Sequence, residues 1–213
     1  MADTDRQIAA MLLQSKAIIL QPDDPFTWAS GWQSPIYCDN RITLSYPGIR
    51  SQMKQAFQSS IQEHFETPDL IAGVATGAIA QGALVADTMQ LPFVYVRPSA
   101  KEHGRQNLIE GRLLPGQKVV VVEDLISTGG SSLKAVEALR KAGADVLGMV
   151  AIFSYGFEVA IQNFNEADVE LFTLTNYHVL IDTALASGDI QQKQVEMLQQ
   201  WRENPSSWQG AKK

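Results

Sequence analysis

The sequence predicts an α/β protein, a mainly parallel sheet flanked by helices, folded as a single domain over residues 1–213. Three observations carry this expectation. Val119–Val122 is an unbroken apolar run, the mark of a strand buried on both faces, where inside/outside alternation is lost. Strand-like runs alternate with helix-like spacings through most of the chain, as a parallel sheet with crossover helices requires. Two strand-to-helix junctions are tight loops of small residues, and the carboxyl ends of strands are where such sheets bind ligands.

Taken in order, a first helix runs from a cap at Asp3 or Thr4 to about Ser15, with Ile8, Met11 and Leu12 on its apolar face. Ile18–Leu20 reads as a short strand. Beyond the turn at Pro22–Pro25, Phe26–Ser30 and Ser34–Asp39 form a hairpin reversed at Gly31, carrying Phe26, Trp28 and Tyr37. Those rings either pack the hairpin or face a ligand. Ile49, Met53, Phe57, Ile61 and Phe65 recur at every fourth position behind Pro47-Gly48, which predicts an amphipathic core helix. Leu70–Val74 is a second buried strand, Ala75–Ala78 its loop, Ile79–Met89 its helix and Phe93–Arg97 a third strand.

Pro98–Asn107 is polar, basic and without apolar period, so it reads as a surface loop. Loops of this kind in compact domains often act as lids; a solvated excursion is the alternative. Ile109–Gly111 resumes an extended course before Pro115-Gly116 turns into the central strand. Leu133–Ala142 follows at helical spacing and Gly143 stops it. Val146–Phe153 is a strand, Phe157–Phe164 a helix, Val169–Leu174 a strand, and Tyr177–Ala186 and Ile190–Trp201 helices, ahead of a polar tail.

Composition narrows the function classes. A 45% hydrophobic content can fill one sizeable core, and no low-complexity tract points to disorder. The net charge of −6 argues against nonspecific nucleic-acid binding, so an anionic substrate needs a local basic patch. Arg97, Lys101, His103, Arg105, Arg112 and Lys118 supply one. The longest nearly apolar run, Val146–Phe157, is too short to span a bilayer, and no signal pattern opens the chain. One cysteine, Cys38, excludes an internal disulfide and a cysteine-rich zinc site. A cytoplasmic protein with no membrane or nucleic-acid partner is expected.

The chemistry concentrates after the four valines. Thr128, Gly129, Gly130 and Ser131 offer hydroxyls and close backbone approach at a helix N-terminus, where unpaired N–H groups and the helix dipole favour an anion such as phosphate. Glu123 and Asp124 would repel that phosphate if they faced it. They suit sugar hydroxyls or a cation beside it, and a sugar phosphate satisfies both halves. A Walker A loop is excluded because no lysine lies between Lys118 and Lys134; a dinucleotide fingerprint is excluded because the glycines are adjacent rather than spaced. The remaining alternative is a plain βα turn with a capping serine.

Val119–Ser131 resembles the phosphoribosyl-pyrophosphate (PRPP) signature of type I phosphoribosyltransferases at every position: apolar run, acid pair, two apolar residues, hydroxyl/glycine loop. The hairpin segment Phe26–Gly31 with Ser34–Arg41, and Arg97 with Lys101-Glu102-His103-Gly104, resemble the corresponding segments of orotate phosphoribosyltransferases. The resemblance implies a type I phosphoribosyltransferase fold with a small N-terminal hood, about 18–45, over a core of about 66–177. It implies transfer of ribose 5-phosphate from PRPP to orotate, giving orotidine 5′-phosphate and pyrophosphate. Lys101, His103 and Asp124 are the implied catalytic groups. PRPP would be held by Arg97, Lys101 and His103 and by the run Glu123, Asp124, Leu125, Ile126, Ser127, Thr128, Gly129, Gly130 and Ser131. Orotate would meet Ser127, Tyr37 and Cys38. Mg²⁺ would be held mainly through PRPP with no direct protein ligand, and a homodimer would share its sites, each loop serving its neighbour.

The chain departs from the pattern where many members carry lysine: it has Ala29, Gly77 and Pro98 instead, and no orotate-binding arginine is evident near Ser154-Tyr155. A purine phosphoribosyltransferase and a regulator that keeps the pocket as a sensor are the competing readings.

Overall fold

The structure, a computed structural model, describes residues 4–27, 31, 33–99 and 108–208. In chain order the elements are α1 (Thr4–Gln14), β1 (Ile18–Leu20), β2 (Phe26–Thr27), β3 (Gln33–Ser34), β4 (Ile36–Cys38), a 3-10 turn at Asn40–Ser45, α2 (Pro47–His64), β5 (Leu70–Val74), α3 (Ile79–Met89), β6 (Phe93–Val96), β7 (Ile109–Glu110), β8 (Lys118–Ile126), α4 (Gly130–Lys141), β9 (Asp145–Ser154), α5 (Glu158–Glu166), β10 (Leu171–Asn176), α6 (Tyr177–Ser187) and α7 (Gln192–Glu203). They form two compact units: Pro47–Leu174, and the residues up to Tyr46 together with those from Thr175 onward.

The Pro47–Leu174 unit is built on a six-stranded sheet in the order β10-β9-β8-β5-β6-β7. β6, β5, β8 and β9 run parallel, and β7 returns antiparallel to β6. The α/β expectation is met. Val119, Val120, Val121 and Val122 are all fully buried, which explains why the sequence shows no alternation there. Val119 and Val121 pack with Val136 and Leu139 of α4, and with Ala160 and Phe164 of α5. The pleat turns Val120 and Val122 to the opposite face. In α2, Met53, Phe57 and Ile61 are the buried stripe that the four-residue spacing predicts.

The central strand is longer than its valines. β8 continues through Glu123, Asp124 and Leu125 to Ile126, and Leu125 and Ile126 stay in register with Phe153 and Ser154 of β9. Pairing with a neighbour keeps a polar segment in strand form, an effect that hydrophobic pattern cannot reveal. The helix after it begins earlier than its apolar spacing, at Gly130.

In the other unit the expected hairpin is two short ladders. β2 pairs with β3, while β1 pairs with β4 through Ile18↔Cys38 and Leu20↔Ile36. Trp28 and Ala29 lie outside the described residues. α7 docks by burying Trp201, whose indole Nε1 donates to Gln33 O at 3.1 Å, and by accepting at Leu198 O a 2.9 Å bond from the buried Tyr177 hydroxyl. Burial raises the Tyr177 phenol well above its usual range, so it stays a donor. No helix among the described residues is long and apolar enough to cross a membrane.

Candidate active site

Three parallel strands place the site. β5 and β8 are neighbours, and the loops after them, Ala75–Ala78 and Ser127–Gly129, open side by side at the carboxyl edge of the sheet. Between them lies a cleft of about 290 Å³ lined by Val74, Ala75, Thr76, Gly77 and by Glu123–Leu125 and Ser127–Ser132. The structure therefore brings together the acid pair, the hydroxyl/glycine loop and the small-residue loop. Ile126 is the exception in this run: it is fully buried and belongs to the core.

The two acids differ in setting because the strand pleat separates them. Glu123 is only 4% exposed; its Oε2 accepts from the Ser132 hydroxyl at 2.7 Å and its Oε1 from the Asp124 N–H at 2.9 Å. Burial raises the Glu123 carboxyl well above the usual range, and the charge of Asp124 adds to the rise. Ser132 thus ties the strand's acid to the first turn of α4, a role the sequence reading did not give it. Asp124 is half-buried, and its carboxylate lies against Gly77 so closely that any Cβ there would overlap it. Gly77 stands where the family resemblance led to the expectation of a lysine, and here the space that side chain would leave from is taken by the Asp124 carboxylate. The peptide bond Ala75–Thr76, in this same loop, is cis.

The phosphate-type loop is shaped by Gly129. Its φ is +82°, in the left-handed region, and a Cβ on it would stand 2.6 Å from Phe164 Cε2. α4 starts at once, with no side-chain cap on its N-terminus, and its first backbone bond runs from Leu133 N to Gly129 O at 2.9 Å. The leading N–H groups of such a helix have no partners within it, which suits them to an anion. Thr128, Gly130 and Ser131 are exposed, and Ser127 is half-buried. The Asn163 side chain donates to Thr128 O at 2.9 Å from α5.

Arg97 stands at the mouth of the basic loop. Its N–H donates to Leu108 O at 2.8 Å, closing the neck between β6 and β7. Its Nη1 is buried, lies 3.6 Å from Glu110 Oε1 and makes no hydrogen bond among the described residues. Arg97 lines a neighbouring cavity of about 420 Å³ that shares Val74, Ala75 and Ser131 with the cleft and adds Lys134. Lys134, on the first turns of α4, is a cation that motif reasoning passed over, since it served there only to exclude a Walker loop. Lys101 and His103 lie outside the described residues.

Tyr37 and Cys38 belong to the other unit. Tyr37 is 44% exposed with its ring 5.6 Å from that of Phe26, and Cys38 Sγ lies 3.4 Å from Asn40 Oδ1. No cluster of three or more metal-ligating side chains occurs among the described residues. An acid pair alone suits a Mg²⁺ ion that keeps most of its ligands on a substrate, as this small, hard cation commonly does beside phosphates.

Residues 44–188 match the family described as the phosphoribosyl transferase domain. The chain is 58% identical over 212 residues to a protein of Phocaeicola vulgatus named orotate phosphoribosyltransferase, covering 100% of both chains. It is 61% identical over 201 residues to the protein of that name from Porphyromonas gingivalis, covering 94% of this chain and 96% of the relative. Among solved structures, orotate phosphoribosyltransferase from Aeropyrum pernix is similar with a TM-score of 0.70 and 27% identity, over 82% of this chain and 97% of that one. UMP synthase of Leishmania donovani gives a TM-score of 0.78 at 25% identity, over 94% of this chain but 42% of that one.

Proposed function

The chain belongs to the phosphoribosyl transferase family, and from that premise we propose how its cleft performs the transfer. The activity is orotate phosphoribosyl transfer, a pentosyl transfer of pyrimidine biosynthesis: ribose 5-phosphate passes from PRPP to orotate, giving orotidine 5′-phosphate and pyrophosphate. The observation that carries the site reading is one cleft joining an acid pair to an uncapped helix N-terminus.

In this reading the 5-phosphate sits against Thr128–Ser131 and the first N–H groups of α4. Asp124 and Glu123 accept from the ribose hydroxyls. Pyrophosphate lies along Ala75–Gly77 toward Arg97, whose buried Nη1 pairs with Glu110 Oε1 at 3.6 Å and makes no hydrogen bond among the described residues. As pyrophosphate departs, positive charge grows on the ribose and negative charge on the leaving group. Lys101 and Arg97 neutralise the latter, and His103 donates a proton or a hydrogen bond to it. Mg²⁺ would be held mainly through PRPP and would supply further charge neutralisation. Orotate is oriented by Ser127, Tyr37 and Cys38. The 98–107 loop closes to exclude water, which would otherwise capture the ribosyl centre. In a homodimer it closes over the neighbour's site.

The proposed domain organisation is one transferase chain whose N-terminal ladders serve as a hood. The proposed location is the cytoplasm, since PRPP is multiply charged and orotate is an anion, and neither crosses a bilayer readily unaided. Loss of orotate absorbance in the presence of PRPP and Mg²⁺ tests the activity. Loss that needs both is expected; no loss with PRPP still bound would move the substrate to another base.

A further inference from the structure

We propose that Asn163 of α5, backed by Phe164, is a positioning residue for the phosphate-binding loop, fixing from behind the direction in which the Gly129 N–H points. The inference rests on the reading of that loop as the 5-phosphate site. Neither residue lines the cleft, and neither belongs to the signature run that defines the loop in sequence.

The peptide between Thr128 and Gly129 leads directly into α4. A trans peptide is planar, with its carbonyl and its N–H directed oppositely. The Asn163 amide donates to Thr128 O at 2.9 Å, which turns that carbonyl toward α5. The Gly129 N–H is thereby turned away from α5, toward the side where the cleft opens. If this peptide rotated, the loop would present a carbonyl oxygen to an incoming phosphate, and the attraction would become repulsion.

Phe164 supplies the second restraint. Its ring is 3% exposed and lies against the Gly129 Cα, so closely that a Cβ would stand 2.6 Å from Cε2. Together with the φ of +82° this leaves the loop little freedom to relax toward α5. The helix that carries both residues is itself tied to α4: Arg140 donates to Ala167 O and to Asp168 O, each at 2.7 Å. The segment that ends α5 is thus bonded to the last turn of α4, and Asn163 bonds the loop before α4.

The test compares Asn163→Leu, similar in size but without a donor, with Asn163→Gln, which keeps an amide. The probes are steady-state kinetics and the direct binding of ribose 5-phosphate to the full chain. Asn163→Leu is expected to raise the KM for PRPP and the Kd for ribose 5-phosphate by about three- to tenfold, the worth of one hydrogen bond. The kcat, the KM for orotate and the Tm should stay close to wild type, and Asn163→Gln should recover part of the lost affinity. Unchanged ribose 5-phosphate affinity in Asn163→Leu overturns the proposal. So does a joint fall of kcat, of both substrate affinities and of Tm, which would mark a merely structural contact. If wild type binds ribose 5-phosphate and Asn163→Leu weakens it while no orotate is consumed, the positioning role stands and the substrate reading fails.

Discussion

Glu123 meets two opposed demands. Its burial favours the neutral acid, whereas the Ser132 hydroxyl and the Asp124 N–H are donors that serve a carboxylate. The net direction is upward, so in the unfolded chain Glu123 loses its proton at a lower pH than in the fold. Between the two pKa values the unfolded state binds fewer protons, and stability must fall as pH rises. Denaturant titration of the ligand-free protein should show that fall beginning above about pH 4.3, the ordinary glutamate value. Glu123→Gln should flatten it; a slope that persists in the variant would place the titration elsewhere. Lys101 belongs at this scale too. If it acts mainly on the departing pyrophosphate, Lys101→Ala should cut kcat by about a hundredfold or more while the Kd of PRPP shifts much less. Equal effects on both would sink that assignment.

At the scale of elements, α6 and α7 give a stability prediction. The buried Tyr177 hydroxyl gives Leu198 O a bond beyond the one it has within α7, so Tyr177→Phe removes one hydrogen bond and should cost about 0.5–1.5 kcal/mol, read from the urea midpoint. Elements with strong internal period were legible in the sequence. β5 and α3 fall where their patterns put them, and the α2 stripe of Met53, Phe57 and Ile61 is buried as spaced. What stayed hidden depends on partners remote in the chain. β8 runs on through Glu123 and Asp124 because β9 pairs with it, and Ile18–Leu20 finds Ile36–Cys38 rather than standing alone. The site divides likewise. The acid pair and the glycine loop announce themselves locally, but the Ser132 tie to Glu123 and the contact of Asp124 with Gly77 arise only when separate elements meet.

For the whole molecule, the proposed crossing of the loop between subunits makes a quantitative forecast. Lys101→Ala and Asp124→Asn are each expected to be nearly inactive. Mixed after reversible dissociation, half the dimers should be hybrids, and one of the two sites in each hybrid would combine an intact loop with an intact acid pair. About a quarter of wild-type activity should return. No recovery, with hybrids verified by mass, would mean that each loop serves its own chain.

One further consequence lies in how the chain is divided. The unit holding α1 and the N-terminal ladders also needs α6 and α7, which come from residues after Thr175. During translation the Pro47–Leu174 unit is made before α6 and α7, whereas α1 waits for those later partners. A segment made before the Pro47–Leu174 unit is therefore structured after it. A nascent chain stalled so that Leu174 has cleared the ribosome while the residues beyond it are still in the exit tunnel should display a protease-resistant sheet and an N-terminus that is still cleaved.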